Sequence, residues 1–183
     1  HTDFNPYFFI KLPQNWTNNQ LAFLKSALSR DMGKLKNEIK SIKLTERKEF
    51  YGFTNNELFK FALIQFKTHN AFKRASYILK KPIQTSVGKY NFQLYEANLD
   101  PMLRFCHVQD LQLAGWANIE KTDCIDVESS TYCDIEIYVP QWRDVKHDPT
   151  PGIAPLVQAS FDIETYSYDG SFPDPNEERC PCI

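Results

Sequence analysis

The sequence predicts an α+β fold: a ferredoxin-like βαββαβ sandwich, then a small β-rich part, then one further strand. Three observations carry this. Two segments place apolar residues at helical spacing behind a helix-starting Thr, four short runs rich in aromatic and β-branched residues flank them, and the order is strand, helix, strand, strand, helix, strand. The chain has 183 residues, 42% hydrophobic and 14% aromatic, which suffices for a core of this size.

Residues 7–12 form a first strand stopped by Pro13. Thr17 with Gln20 makes a capping box, and Leu21, Leu24 and Leu28 follow at helical spacing, with Phe23 and Ala27 widening the stripe as far as Met32 and Gly33. Residues 39–50 alternate Ile39, Ile42 and Leu44 with charge and read as an exposed strand, and residues 58–66 are the strongest strand of the first half. Thr68 opens a second helix whose apolar face is Ala71, Phe72, Ala75, Ile78 and Leu79, with Lys73, Arg74, Lys80 and Lys81 outward or near its end. Cations there suit the helix dipole as well as they suit a phosphate. Pro82 ends the helix, and residues 90–96 return as a strand.

RNA-recognition modules share this architecture, with exposed sheet rings that stack on bases. The glycine-aromatic signature of such modules is absent, so Phe59, Phe61 and Phe66 read as core and not as a base platform. Asp100 and Pro101 start a third helix with Met102, Phe105 and Cys106 on one apolar side and Arg104 leaving from another. Residues 117–139 hold two or three strands, and residues 141–155, with four prolines counting Pro140, read as a linker.

Residues 1–104 hold 17 Lys and Arg against 8 Asp and Glu, a net +9, whereas residues 105–183 hold 4 against 15, a net −11. The first half can therefore meet a polyanion, through Lys73, Arg74, Lys80, Lys81 and Arg104, while the second supplies carboxylates; equally, two solvated surfaces of opposite sign can dock. No stretch approaches the ~18 apolar residues of a membrane helix, and the N-terminus lacks the order of a signal peptide, so an intracellular, membrane-free protein is expected. Five cysteines without CxxC spacing argue against a disulfide framework and a zinc knuckle.

Asp162 and Glu164 close an apolar run that begins at Pro155 and reads as an interior strand. Side chains at i and i+2 share a face, so the two acids converge while Ile163 packs away from them. Mg²⁺ or Mn²⁺ takes carboxylate oxygens, and a metal pair held this way is a recurrent device for cutting or making phosphodiesters. The same tripeptide at Asp134, Ile135 and Glu136 lies in the alternating run 132–139, which reads as a half-buried strand showing its acids to water. By pattern alone Asp162 and Glu164 are a metal site or a strand-end pair facing solvent.

Three stretches resemble the B-family DNA polymerases, of the delta type found in eukaryotes and large DNA viruses. Tyr95, Glu96, Ala97, Asn98 and Leu99, then Leu103, Arg104 and Phe105, then Gly115 and Trp116, resemble the segment before the family's exonuclease domain. Ile153, Ala154, Pro155 and Leu156 running into Ser160, Phe161, Asp162, Ile163 and Glu164 resemble its first exonuclease motif, and Gly170 to Pro175 the loop that follows. The resemblance covers residues 90–183 well and the rest by order of elements.

It implies a replicative, Mg²⁺-dependent nucleotidyltransferase with a 3′–5′ proofreading nuclease, working on DNA in a nucleus or a viral replication compartment. It also implies that Asp162 and Glu164 are ligands of a two-metal site, and that residues 1–115 form an N-terminal domain along the template path. Residues 116–150 are then an extension and linker, and residues 151–183 the start of a ribonuclease H-like exonuclease domain. Later acidic motifs and the polymerase carboxylates are not in the sequence, so this polypeptide alone is expected to be inactive. A non-catalytic nucleic-acid-binding or docking module and a small independent metal nuclease are the competing readings.

Overall fold

A computed structural model of the chain describes residues 2–49, 52–119, 125–126, 131–152, 154–155, 157–162 and 170–171. Two compact units divide at Pro151 and Gly152. The first unit is built on strand β1 (Tyr7–Lys11), helix α1 (Asn18–Met32), strands β2 (Ile39–Lys48) and β3 (Leu58–Phe66), and helix α2 (His69–Leu79). A hairpin of β4 (Ile83–Thr85) and β5 (Gly88–Tyr90) follows, then β6 (Leu94–Tyr95). β2, β3, β1 and β6 lie in that order in one four-stranded sheet, each pair antiparallel.

The alternation of side chains along each strand gives this sheet two faces of different character. Phe8 and Ile10 of β1 and Ala62, Ile64 and Phe66 of β3 point to one face, where they meet Leu21, Leu24 and Leu28 of α1 and Ala71, Phe72 and Leu79 of α2. The fully buried Phe8, Phe66, Ile10, Leu24, Leu28, Ile64 and Leu79 are the bulk of this core, each contributing about 1.5–3 kcal/mol relative to exposure. Both helices start as their sequences dictate. Gln20 and Thr17 complete the capping box, and the Thr68 hydroxyl accepts the Ala71 N–H at 3.3 Å. Gly33 ends α1 at φ 59, returning its N–H to the Arg30 carbonyl. Phe23 does not widen the buried stripe; it is exposed.

The strand expected over residues 90–96 is divided between β5 and β6. Tyr90 and Phe92 stack on each other and meet Trp16 edge-on, so their rings pack under α1's entry instead of extending a ladder. Phe61 is buried as expected, at 4% exposure, whereas Phe59 is only half-buried. Phe66 is core, but the odd-numbered residues of β3 point away from the helices, which puts Phe59 and Phe61 on the opposite face.

Helix α3 (Pro101–Val108) is capped by Asp100, whose carboxylate accepts the Met102 N–H at 2.8 Å. β7 (Trp116–Ile119) pairs with β10 (Val145–Asp148), and β8 (Ile125–Asp126) with β9 (Ile137–Tyr138). Residues 141–155 are therefore not linker throughout. The prolines lie outside β10, at 140, 149, 151 and 155, so every N–H from Val145 to Asp148 is free to join a ladder.

The run 132–139 is not one strand: Glu136 instead accepts the Thr131 N–H at 2.7 Å and its hydroxyl at 2.6 Å, a local capture that competes with pairing. Ile135 is 79% exposed as a result. Thr2 bridges to Val139, and the Trp142 N–H donates to Asp3 at 2.8 Å.

In the second unit, residues 154–155 and 157–162 carry no strand, and Val157 and Phe161 are 103% and 84% exposed. The interior strand expected from Pro155 is thus not present over its described part. An apolar run becomes a strand only where another strand offers an edge for its N–H and C=O groups, and none of the described residues does so here.

Candidate functional site

Asp162 is exposed and follows Phe161 without regular structure; Glu164 and Ile163 lie outside the described residues. The shared strand face on which the two acids were expected to converge is therefore not seen on the described side. Among the described residues no group of three or more His, Cys, Asp or Glu side chains is gathered to hold a metal ion. Ions that favour six oxygens need more donors than this, so the described residues do not assemble a cation site.

The basic residues singled out from sequence fall in two places. Lys73, Arg74, Lys80 and Lys81 are all exposed on α2 and just beyond it, and the Arg74 and Lys81 cations lie 6.0 and 4.9 Å from the Tyr77 ring centroid. Tyr77 is itself 55% exposed, so this side of α2 presents positive charge around one ring. Arg104 is elsewhere. It extends from α3 over the sheet face turned away from the helices, with its guanidinium 4.8 Å from the Tyr7 ring centroid and Nη1 donating to the Tyr7 hydroxyl at 3.3 Å. Nη2 lies 2.5 Å from a Glu96 carboxylate oxygen.

That face holds a cleft of about 320 Å³, lined by Tyr7 and Phe9 of β1, Phe61 of β3, Tyr95 of β6 and Arg47 of β2, with Arg104 and Glu96 closing one side. Register explains the grouping, since Phe9 stands opposite Tyr95 and Lys11 opposite Phe61. The rings brace one another edge to face, Tyr7 on Phe9 and Phe61 on Tyr95. Glu49 ties the far side together by accepting from Lys11 at 2.7 Å and from the Tyr95 hydroxyl.

The Lys11 hydrogen bond, then that of Tyr95, holds the Glu49 carboxyl below its usual range. Burial, then the bond to Glu49, pushes the Tyr95 phenol up to about 12. Glu96 sits at φ 61, a left-handed backbone that a residue with a Cβ adopts at a cost of about 1–2 kcal/mol. Sequence reading missed this cleft. Its one available signal was the odd-numbered aromatic set of β1 and β3, of which the absence of a glycine-aromatic signature had assigned Phe59 and Phe61 to the core.

Residues 92–183 match the sequence model of DNA polymerase family B, exonuclease domain. The chain is 32% identical to a DNA polymerase of Acanthamoeba polyphaga mimivirus over 94% of its own length and 11% of the other's. It is 31% identical to a DNA polymerase of Phaeocystis pouchetii virus, over 94% and 18% of the two lengths. With the DNA polymerase delta catalytic subunit of Bos taurus it shares 30% identity, over 98% and 17%. The chain thus spans between 11% and 18% of the length of these curated relatives.

Proposed function

The chain belongs to DNA polymerase family B, and from that premise we propose that it is the N-terminal region of a replicative DNA-directed DNA polymerase with a 3′–5′ proofreading exonuclease. The observation that carries this is the exonuclease-domain match over residues 92–183, which includes Asp162 and Glu164. In the longer protein these two acids contribute ligands to a Mg²⁺ or Mn²⁺ pair, whose chemistry is to activate water and offset charge on the scissile phosphate.

Residues 1–115 act as a ferredoxin-like scaffold against the template strand, a reading supported by the strand order β2, β3, β1, β6 with a helix in each crossover. Residues 116–150 extend it, and residues 151–183 begin the nuclease domain. The 183-residue chain by itself degrades no DNA, because too few donors are present to hold the metal pair. The protein works with DNA and with the remainder of the polymerase, in a nucleus or a viral replication compartment.

The test uses the full-length gene product. Asp162→Ala and Glu164→Ala should each lower Mg²⁺-dependent removal of 3′ nucleotides by about a hundredfold or more, while primer extension persists. Undiminished digestion in both variants would overturn the assignment. A second reading, that the first unit is a nucleic-acid-binding module in its own right, is favoured by the four exposed cations on α2 and just beyond it, two of them beside Tyr77.

A further inference from the structure

We propose that the outer edge of β2 is a docking strand for an acidic, extended peptide of a partner protein. This goes beyond the polymerase reading and stands without it. β2 closes one side of the four-stranded sheet, and at ten residues it is longer than the usual strand of about 5–6. It pairs with β3 from Ile39 to Lys48, and among the described residues no strand takes its other side. The N–H and C=O groups along that side are donors and acceptors in a fixed register. A peptide backbone meets both kinds of group, whereas a phosphodiester backbone offers acceptors alone.

The side chains say which peptide. Lys40, Lys43, Arg47 and Lys48 are exposed along the strand with Glu46 as its one acid, and Lys40, Lys43 and Arg47 make no ion pair among the described residues. Two copies of β2 set edge to edge would bring these cations together, which opposes self-pairing and leaves the edge open to a strand of opposite sign. The two faces differ as well. Ile42 and Leu44 are half-buried against the core, while Lys43 and Arg47 stand on the helix-free face, opposite Leu63 and Phe59 of β3. An added strand therefore puts apolar side chains beside Ile42 and Leu44 and carboxylates beside Lys43 and Arg47, so the matching sequence alternates apolar and acidic residues.

The probe is a labelled peptide of about eight residues alternating Glu and Val, titrated into the 183-residue chain at low salt. Fluorescence anisotropy should show it binding about tenfold tighter than a peptide with the same Glu and Val in two blocks, and than one N-methylated throughout. Amide hydrogen exchange across residues 39–48 should slow as it binds. Lys43→Glu with Arg47→Glu should reverse the preference, to a peptide alternating Lys and Val. If circular dichroism shows that double variant to be unfolded, the block and N-methylated peptides on the unaltered chain carry the same expectation.

Equal binding of the three peptides, no binding of any, or binding that leaves exchange at 39–48 unchanged overturns the proposal. A dT oligonucleotide that slows the same amides and displaces the peptide assigns the edge to nucleic acid instead. Dimerisation of the chain alone with those amides slowed assigns it to a second copy. Either result overturns the proposal too.

Discussion

Tyr95 stands where three influences meet: burial, the hydrogen bond it donates to Glu49, and the negative charge of that carboxylate all keep its phenol protonated, up to about 12. Because the folded-state value is raised, its stabilising contribution is complete below the ordinary phenol range and is lost as pH climbs through the folded value. Glu49 runs the other way. Its depressed value gives a contribution present above the ordinary carboxylate range and lost as pH falls through the folded value. Ultraviolet titration of the nine tyrosines should therefore show one ionising near 12, and Glu49→Gln should bring that step down. Thermal melting between about pH 10 and 12 should decline more steeply for the unaltered chain than for Tyr95→Phe, all else equal. None of this was readable from spacing. Glu49 and Tyr95 are 46 residues apart, and it takes the register of β2 with β3, β3 with β1 and β1 with β6 to bring them together.

At the scale of elements, what the sequence disclosed was what local chemistry decides. Thr17 with Gln20, Thr68 and Asp100 each accept the N–H groups that a helix leaves open at its start, and each was visible as a residue type at the right offset. Thr68→Ala should cost about 1 kcal/mol, seen as a lower urea midpoint with unchanged slope. β1 and β3 were equally plain because their runs are apolar on both sides. What stayed hidden depends on partners far along the chain. β10 looked like linker because prolines surround it, and only pairing with β7 reveals its open N–H groups. Residues 132–139 had the alternation of a strand, but Thr131 captures Glu136 and the run closes on itself. The segment leading to Asp162 has a strand's composition without an edge to join among the described residues, which is also why the carboxylate pair was legible as chemistry and not as geometry.

For the molecule as a whole, the +9 of residues 1–104 predicts binding that weakens with salt. Lys73→Glu with Arg74→Glu should weaken single-stranded DNA and make the log–log salt dependence shallower by about 1.4, as for two lost phosphate contacts. An unchanged slope would remove α2 from the interface. Among the described residues no helix is long and apolar enough to cross a membrane. The bridge from Thr2 to Val139 and the Asp3 bond to Trp142 have a consequence for synthesis. A ribosome adding about 5–20 residues per second emits Thr2 and Asp3 on the order of ten seconds before their partners exist. The leading segment must wait, untethered, while the sheet behind it closes. A nascent chain halted before residue 139 should accordingly leave Thr2 and Asp3 open to an endoprotease, and one released after Trp142 has emerged should guard them.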